Sequence, residues 1–202
     1  MTGRPKIYLA GPAVFLPDAA EIGRRKQALC QRYGFDGLYP LDAGIVGAET
    51  AERRDRLIYR ACITMIAEAD CGIFDLTPFR GVSADVGTVF ELGMVAGLGK
   101  PVFAYSNVTE DYLARVRGTG LAMRERDGET WRDAAGMAIE DFGNADNLML
   151  DACLREGGYP MIRIAASPEE RFRDHRGLEA CLALAKRALL GGSSPITRTG
   201  RK

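Results

Sequence analysis

The chain has 202 residues, enough for one domain with a substantial hydrophobic core. Its 27 Lys and Arg balance its 27 Asp and Glu, so no basic surface for nucleic acid or for a membrane is expected. Five cysteines without C-x-x-C spacing are typical of reduced, buried thiols. A single histidine, His175, argues against a His-based metal site and against Ser-His catalysis. Because no segment resembles a signal peptide or a membrane span, we expect a cytoplasmic protein.

Hydrophobic periodicity predicts strands and helices in alternation along the chain. Short apolar runs predict strands at 7–10, 35–41, 71–76, 102–105 and 161–165. Apolar residues at helical spacing predict helices at 18–33, 49–69, 131–142, 148–154 and 177–190, with a further helix after the third strand. This alternation predicts an α/β fold: one doubly wound parallel sheet, flavodoxin-like or Rossmann-like, with helices on both faces.

We place the single domain at residues 1–190. It contains a Gly-rich connector at 43–48 and a polar surface insertion over about 106–143. The tail, residues 191–202, is rich in small and polar residues and is expected to be disordered.

The helix after the third predicted strand carries one acid in apolar surroundings. It is expected to start at Ser83 or Asp85, since both are good N-caps. Residues 86–98 are apolar or small on every face apart from Glu91, so we expect this helix to be buried on all sides. No Lys or Arg lies three or four positions from Glu91, and an unpaired buried carboxylate is costly. Glu91 is therefore either a catalytic group or a structural acid with a distant partner.

Three carboxylates come from this part of the chain, at the sheet edge where open α/β proteins bind ligands. Asp75 ends the third strand, Asp85 opens the helix, and Glu91 lies further in. Enzymes that transfer glycosyl groups use such a pair: one carboxylate attacks the anomeric carbon, and an acid partner protonates the leaving group. Each of the two aspartates also has a purely structural interpretation. Asp85 would cap the helix, and Asp75 would accept hydrogen bonds from loop amides.

The first predicted strand also ends in a feature that suits a ligand. Gly11 and Pro12 follow it at once, so a ligand can approach the backbone there. The segment lacks the G-x-G-x-x-G spacing, so a dinucleotide site is not supported. Tyr8 lies within this strand. Its hydroxyl either belongs to the site, or the side chain fills the core and its hydroxyl is hydrogen-bonded there.

Four motifs follow one another along the chain: IYLAG at 7–11, DVGTVFELG at 85–93, GKPV at 99–102 and DNLM at 146–149. Together they resemble the nucleoside 2-deoxyribosyltransferase family over roughly residues 5–165.

The resemblance implies a role for each matched residue. Glu91 matches the nucleophile that forms a covalent deoxyribosyl intermediate, and Tyr8 matches the tyrosine that positions it. Asp85 matches the acid that contacts the nucleobase and helps to protonate its leaving nitrogen. Asn147 and Met149 match a pair that a neighbouring subunit places over the sugar, which implies a homo-oligomer built from dimers with shared active sites.

The resemblance also implies the binding partners. The substrates are 2′-deoxyribonucleosides and free nucleobases, with Gly11 and Phe15 lining the base pocket and Asp75 as a further candidate for substrate binding. Neither a metal nor an organic cofactor is implied. The insertion at 106–143 is longer than in compact members, so the matches of Asn147 and Met149 rest on their motif. The tail also runs well past the last strand, which leaves a role for the C-terminal carboxylate open.

The expected function is exchange of the base of a 2′-deoxyribonucleoside through a deoxyribosyl-Glu91 intermediate, in nucleotide salvage. The alternative is a hydrolase that cleaves the N-glycosidic bond of 2′-deoxynucleoside 5′-monophosphates. In that case Arg80, Gly81 and Ser83 would bind the phosphate near the helix N-terminus. A non-catalytic nucleotide-binding module is the third reading.

Overall fold

The computed structural model describes residues 3–43, 51–120 and 130–191. Within these ranges the main sheet is formed by β1 (Lys6–Ala10), β2 (Asp36–Leu38), β3 (Cys71–Asp75), β4 (Val102–Ser106) and β7 (Ile162–Arg163). A separate hairpin is formed by β5 (Trp131–Arg132) and β6 (Ala138–Ile139). The helices are α1 (Ala19–Tyr33), α2 (Ala51–Glu68), α3 (Val86–Gly97), α4 (Tyr112–Gly118), α5 (Leu148–Glu156) and α6 (Arg176–Leu190). Short 3₁₀ helices lie at Pro12–Phe15 and Pro40–Ala43.

The main sheet has the strand order β2-β1-β3-β4-β7, and every neighbouring pair is parallel. This confirms the predicted doubly wound α/β fold, in the flavodoxin-like strand order. Strand β2 lies on one side of β1 and β3 lies on the other. The connections that leave the carboxyl ends of β1 and β3 therefore run to opposite sides, and a crevice opens between them at this edge of the sheet. Gly11 follows β1 there, and a Cβ on Gly11 would lie 2.5 Å from the Cβ of Asp75. Only glycine fits at this position.

The two faces of the sheet are covered by different helices. Helices α1 and α6 cover one face, packing on Ile7, Leu9, Ile73 and Phe103. Helices α2, α3 and α5 cover the other face, packing on Tyr8, Ala10, Phe74 and Ala104. Because successive side chains of a strand point to opposite faces, Tyr8 points toward α2 and α3 while both of its neighbours in β1 face α1 and α6.

Helix α3 is buried on one face only, which corrects the expectation that it is buried all round. Thr88, Leu92 and Val95 are buried against the domain. The opposite face is open: the exposed fractions are 84% for Val86 and 54% for Phe90. The apolar composition of the helix indicated burial, but composition does not tell whether the covering surface belongs to the same chain.

The predicted helix at 131–142 is wrong, because the segment contains the β5–β6 hairpin. Asp133 Oδ1 accepts hydrogen bonds from the backbone N–H groups of Ala135 and Met137, at 2.9 and 3.0 Å. Gly136 adopts φ +82°, a conformation that favours glycine. The turn chemistry of Asp and Gly therefore overrides the helical pattern here.

The remaining predicted elements are present with small differences at their ends. The second strand is shorter than expected, and α1 ends before Gly34, which adopts the left-handed conformation at φ +96°. Most of the predicted Gly-rich connector, the first residues of the predicted helix at 49–69, part of the insertion and nearly all of the tail lie outside the described residues. Among the described helices, none is both long and apolar enough to cross a membrane.

Arg115, in the helix α4 of the insertion, ties together two loops near the start of α3. Its Nε donates to the carbonyl of Val82 at 2.7 Å, and its Nη2 donates to the carbonyl of Ala145 at 2.6 Å. Nη2 also pairs with Asp146 Oδ2 at 3.4 Å, and the same Oδ2 accepts from the backbone N–H of Ala84 at 3.0 Å. The insertion thus fixes the start of α3 relative to the turn before α5.

Replacing Arg115 with Met keeps the apolar stem and removes these hydrogen bonds, leaving the buried Asp146 without its cation. We expect Arg115→Met to lower the free energy of unfolding by about 2–4 kcal/mol, measured by urea denaturation. The matched control is Arg117→Met in the same helix, where the guanidinium lies 4.8 Å from the centre of the Trp131 ring. That exposed contact is expected to contribute about 1 kcal/mol or less. Equal losses in the two variants would contradict the role given to Arg115.

Candidate active site

A hydrogen bond between β1 and α3 lies at the centre of the site. The Tyr8 hydroxyl donates to Glu91 Oε1 at 2.7 Å, and the interaction is partly buried. The alternation of β1 turns Tyr8 toward α3, and the packing of α3 on the sheet brings Glu91 into reach. Tyr8 is thus the distant partner that a buried Glu91 requires. The two residues are 83 positions apart in the sequence, so the fold alone brings them together.

The groups around Glu91 have opposite effects on its pKa. Burial raises the pKa of Glu91 above its usual value, and the nearby Asp85 charge adds to that rise. Hydrogen bonds from Tyr8 and Cys62 lower the pKa by favouring the carboxylate. Burial and the neighbouring Glu91 raise the pKa of Tyr8 far above its usual value. Tyr8 therefore stays protonated at neutral pH and acts as a hydrogen-bond donor that orients Glu91.

Cys62, in α2, is a third member of this cluster. In the sequence it belongs to a stripe of apolar residues at helical spacing, Leu57, Ile58, Ala61, Cys62, Met65, Ile66 and Ala69, which predicts this helix and indicates packing only. Its thiol interacts with both the Tyr8 hydroxyl and the Glu91 carboxylate. Burial raises the pKa of this thiol, so it is neutral at physiological pH. Nothing in the sequence distinguishes Cys62 from the other members of the stripe, because periodicity identifies a helix face but not the neighbour of each residue.

Asp85 is the N-cap of α3, as the structural alternative predicted. Its Oδ2 accepts from the Thr88 backbone N–H at 2.9 Å and from the Thr88 hydroxyl at 3.0 Å. Asp85 also interacts electrostatically with Glu91, so the fold brings these two carboxylates into one site. The capping role and a role toward a substrate are compatible, since the cap occupies a single carboxylate oxygen.

Asp75 is buried at the end of β3, where its Oδ1 accepts from the Thr77 hydroxyl at 2.5 Å and from the Thr77 backbone N–H at 3.1 Å. Burial raises the pKa of Asp75, while the buried Lys26 lowers it. These bonds match the structural alternative for Asp75, and a part in substrate binding stays a prediction.

Phe15 and Arg80 form one cluster at the same edge of the sheet. The Phe15 ring stacks on Phe79 with 5.1 Å between ring centres. The Arg80 guanidinium lies 5.2 Å from the centre of the Phe15 ring and 4.7 Å from that of Phe79. Arg80, the cation considered for phosphate binding, is thus engaged with two aromatic faces. A role of Phe15 in a base pocket stays a prediction.

Asn147 and Met149 lie at the start of α5. Asn147 caps this helix through a bond from the Met149 backbone N–H to its Oδ1, at 3.0 Å. Its Nδ2 donates to Glu140 at 2.8 Å. The exposed fraction of Met149 is 70%. Within the described residues the hydrogen bonds of Asn147 stay local, and none joins it to Tyr8 or Glu91.

A separate surface groove of about 450 Å³ lies between α1 and α6, on the sheet face opposite Glu91. Three of its lining arginines are already paired with carboxylates: Arg25 with Glu21, Arg32 with Glu179 and Arg176 with Asp174. The cluster around Glu91 is the better candidate for chemistry, because it combines a partly buried carboxylate with a positioned hydroxyl.

Comparison with known proteins gives consistent results. The family model described as nucleoside 2-deoxyribosyltransferase matches residues 7–149. An uncharacterized protein of Schizosaccharomyces pombe is 32% identical over 189 residues, covering 84% of this chain and 85% of that protein. A solved structure described as a 2-desoxiribosyltransferase from Leishmania mexicana is 34% identical, with a TM-score of 0.55, covering 83% of this chain and 94% of that one.

A further solved structure, of a conserved protein from Enterococcus faecalis V583, shares the fold. It is 17% identical, with a TM-score of 0.52, and the match covers 91% of this chain and 99% of that one. The family match spans more than half of the sequence and contains Tyr8, Asp85, Glu91, Asn147 and Met149. This chain therefore belongs to the nucleoside 2-deoxyribosyltransferase family.

Proposed function

We propose that this protein exchanges the base of 2′-deoxyribonucleosides, in nucleotide salvage, with Glu91 as the nucleophile. The observation that carries the proposal is the hydrogen bond from Tyr8 to Glu91 beside the crevice of the sheet. This bond orients a partly buried carboxylate and occupies one of its two oxygens. The other oxygen is then the attacking atom.

The reaction proceeds in two displacements. In the first, the Glu91 oxygen forms a bond to C1′ of the deoxynucleoside as the bond from C1′ to the base nitrogen breaks. The electron pair leaves with the base, and Asp85 supplies a proton to the leaving nitrogen through the oxygen not used for capping. In the second, a nitrogen of the incoming base attacks C1′, the bond from C1′ to Glu91 breaks to release the carboxylate, and the proton of the attacking nitrogen returns to Asp85. Two inversions give net retention at C1′.

Transfer, as opposed to hydrolysis, requires a site that keeps water from the covalent intermediate. Water attacking the deoxyribosyl-Glu91 ester would give free deoxyribose, so a transferase must keep water from C1′ until the second base arrives. Glu91 sits between α2, α3 and the sheet, where burial is strong enough to raise its pKa. The same burial keeps the carboxylate weakly solvated and therefore nucleophilic.

The first test is base exchange: deoxyinosine and adenine are mixed with the protein, and both bases and nucleosides are followed by chromatography. We expect deoxyadenosine and hypoxanthine with little free deoxyribose. Glu91→Gln is expected to lower the exchange rate at least about a thousandfold, because it removes the nucleophile while keeping the size of the side chain. The matched control is Glu68→Gln, which changes an exposed glutamate paired with Lys6 and should retain the wild-type rate.

Three results would contradict the proposal. Free deoxyribose without deoxyadenosine would indicate a hydrolase, and repeating the assay with deoxynucleoside 5′-monophosphates would identify its substrate. Binding of nucleosides without turnover would indicate a non-catalytic module. Full exchange by Glu91→Gln would exclude Glu91 as the nucleophile.

We also propose that the protein is a homo-oligomer built from dimers, in which Asn147 and Met149 complete the site of a neighbouring subunit. The open face of α3 supports a second copy as its partner, because Val86 and Phe90 expose apolar surface on the helix that carries Glu91. Met149 is likewise an exposed apolar side chain. A dimer contact through these surfaces would cover both.

Shared sites predict complementation between two inactive variants. Glu91→Gln and Asn147→Ala are each expected to be inactive alone, since each damages every site of its own oligomer. After co-expression, half of randomly assembled dimers would be mixed, with one intact site each, so about a quarter of the wild-type exchange rate is expected. A different affinity tag on each variant, with purification on both tags in turn, confirms that mixed dimers form. Mixed dimers without recovered activity would show that each site is built from one chain.

A further inference from the structure

We propose that Glu140 is a positioning residue for Asn147, which it orients toward the sugar in the site of a neighbouring subunit. The inference rests on the proposed function and its shared sites, since it assigns a role within the same reaction. It gives the insertion at 106–143 a part in that reaction, because the insertion brings a carboxylate to the residue that would complete the neighbouring site.

Both carboxylate oxygens of Glu140 bind the first residues of α5. Oε1 accepts a hydrogen bond from Nδ2 of Asn147 at 2.8 Å, and Oε2 accepts one from the backbone N–H of Leu148 at 2.8 Å. Hydrogen bonds to an ionised acceptor are shorter and stronger than those between neutral groups. The carboxylate also lies at the N-terminus of α5, where the helix dipole favours a negative charge. Glu140 is therefore well placed to hold the side chain of Asn147.

The side-chain amide of Asn147 is fixed at both of its ends. Its Oδ1 accepts from the Met149 backbone N–H at 3.0 Å, and its Nδ2 donates to Glu140. An ionised carboxylate only accepts, so the nitrogen of the amide and not the oxygen must face Glu140. An amide side chain has two N–H donors and two oxygen lone pairs, so these two bonds leave one donor and one acceptor for a sugar hydroxyl. Glu140 thus sets the direction in which that donor and acceptor point.

The β5–β6 hairpin places Glu140 in this position. Trp131 pairs with Ile139 across the hairpin, and Glu140 is the first residue after β6. The Arg117 guanidinium of α4 lies 4.8 Å from the centre of the Trp131 ring, which ties the hairpin to the preceding helix. At the other end, Asp133 closes the turn through its two backbone hydrogen bonds. The register of the hairpin therefore determines which side chain meets α5.

Exposed apolar side chains near this contact in the sequence suit the proposed partner subunit. The exposed fractions are 67% for Phe142 and 70% for Met149. Exposed apolar surface of this kind is typical of protein interfaces. A second copy that covers these side chains would also remove water from around Glu140 and Asn147, and a hydrogen bond to a charge is stronger in a medium of lower dielectric constant.

The loss of these hydrogen bonds is expected to weaken base exchange. Glu140→Gln keeps the size of the side chain but replaces one acceptor oxygen with a donor, so it cannot keep both bonds, and Glu140→Ala removes both. We expect either variant to lower kcat/KM about tenfold, because Asn147 loses its fixed orientation. The matched control is Glu156→Gln, which changes an exposed carboxylate at the other end of α5 and should keep the wild-type kcat/KM.

Mixed dimers distinguish this role from a structural one. Glu140→Ala is co-expressed with Glu91→Gln, each with its own affinity tag, and the mixed dimers are purified on both tags in turn. The site with an intact Glu91 then receives Asn147 from a chain with an intact Glu140, so about half of the wild-type rate is expected from one fully active site in each dimer. A rate of about a twentieth would show that Glu140 supports the site of its own chain, as a structural residue does, and would overturn the proposal.

A measurement independent of turnover separates this inference from the proposed function. The side-chain amide signals of Asn147 are recorded by ¹H–¹⁵N NMR and assigned by their loss in Asn147→Ala. The proton bonded to Glu140 should move upfield in Glu140→Gln and Glu140→Ala and keep its position in Glu156→Gln. Wild-type protein that exchanges no base but shows these displacements would defeat the proposed function and leave the orientation of Asn147 by Glu140 in place. Active protein in which the signals do not move, or in which both Glu140 variants keep the wild-type kcat/KM, would defeat the Glu140 proposal only.

Discussion

The hydrogen bond from Tyr8 to Glu91 is the constraint around which the site is built. A carboxylate inside a largely apolar helix is unfavourable unless a donor satisfies it, and Tyr8 is that donor. The tyrosine belongs to β1, near the centre of the sheet, and the glutamate belongs to a helix packed on one face. The bond therefore forms only when β1 turns Tyr8 toward α3 and α3 packs on the sheet in the right position. In the proposed reaction, the same burial that makes the carboxylate costly keeps it weakly solvated and nucleophilic.

The other parts of the site follow from how α3 is held. Asp85 caps the helix and interacts with Glu91, so one residue both starts the helix and places a second carboxylate beside the first. Arg115 and Asp146 fix the loop before it, which gives the insertion a structural purpose. The outer face of α3 stays apolar and open, which suits contact with another subunit. Helix α3 thus links the proposed catalysis, the packing of the domain and the proposed assembly.

Much of this arrangement could be predicted from the sequence. The alternation of apolar runs and amphipathic segments predicted the parallel sheet. Capping preference left Ser83 and Asp85 as the two candidates for the start of α3, and the structure has Asp85 as the cap. Glu91 was noticeable because nothing local could pair with it. Tyr8 was ambiguous, because a strand residue can serve the core or the site, and only the fold shows which acid its hydroxyl reaches.

The errors and omissions also have physical reasons. The apolar composition of α3 does not say which surface covers it, so burial on all sides was inferred wrongly. At 133–136 an Asp turn and a left-handed glycine outweigh a helical pattern. Cys62 could not be found, because a helical stripe says which residues face inward but not which of them meets a carboxylate. Such contacts arise between distant segments, and local patterns do not encode them.

The most direct test of this account is a search for the covalent intermediate on Glu91. The protein is mixed with a deoxynucleoside in the absence of an acceptor base, quenched rapidly in acid, digested, and its peptides are weighed by mass spectrometry. We predict one added deoxyribosyl group on the peptide that contains Glu91, absent in Glu91→Gln and lost when an acceptor base is added before the quench. Release of the base by wild-type protein with no adduct at any time, or an adduct on another residue, would contradict the account.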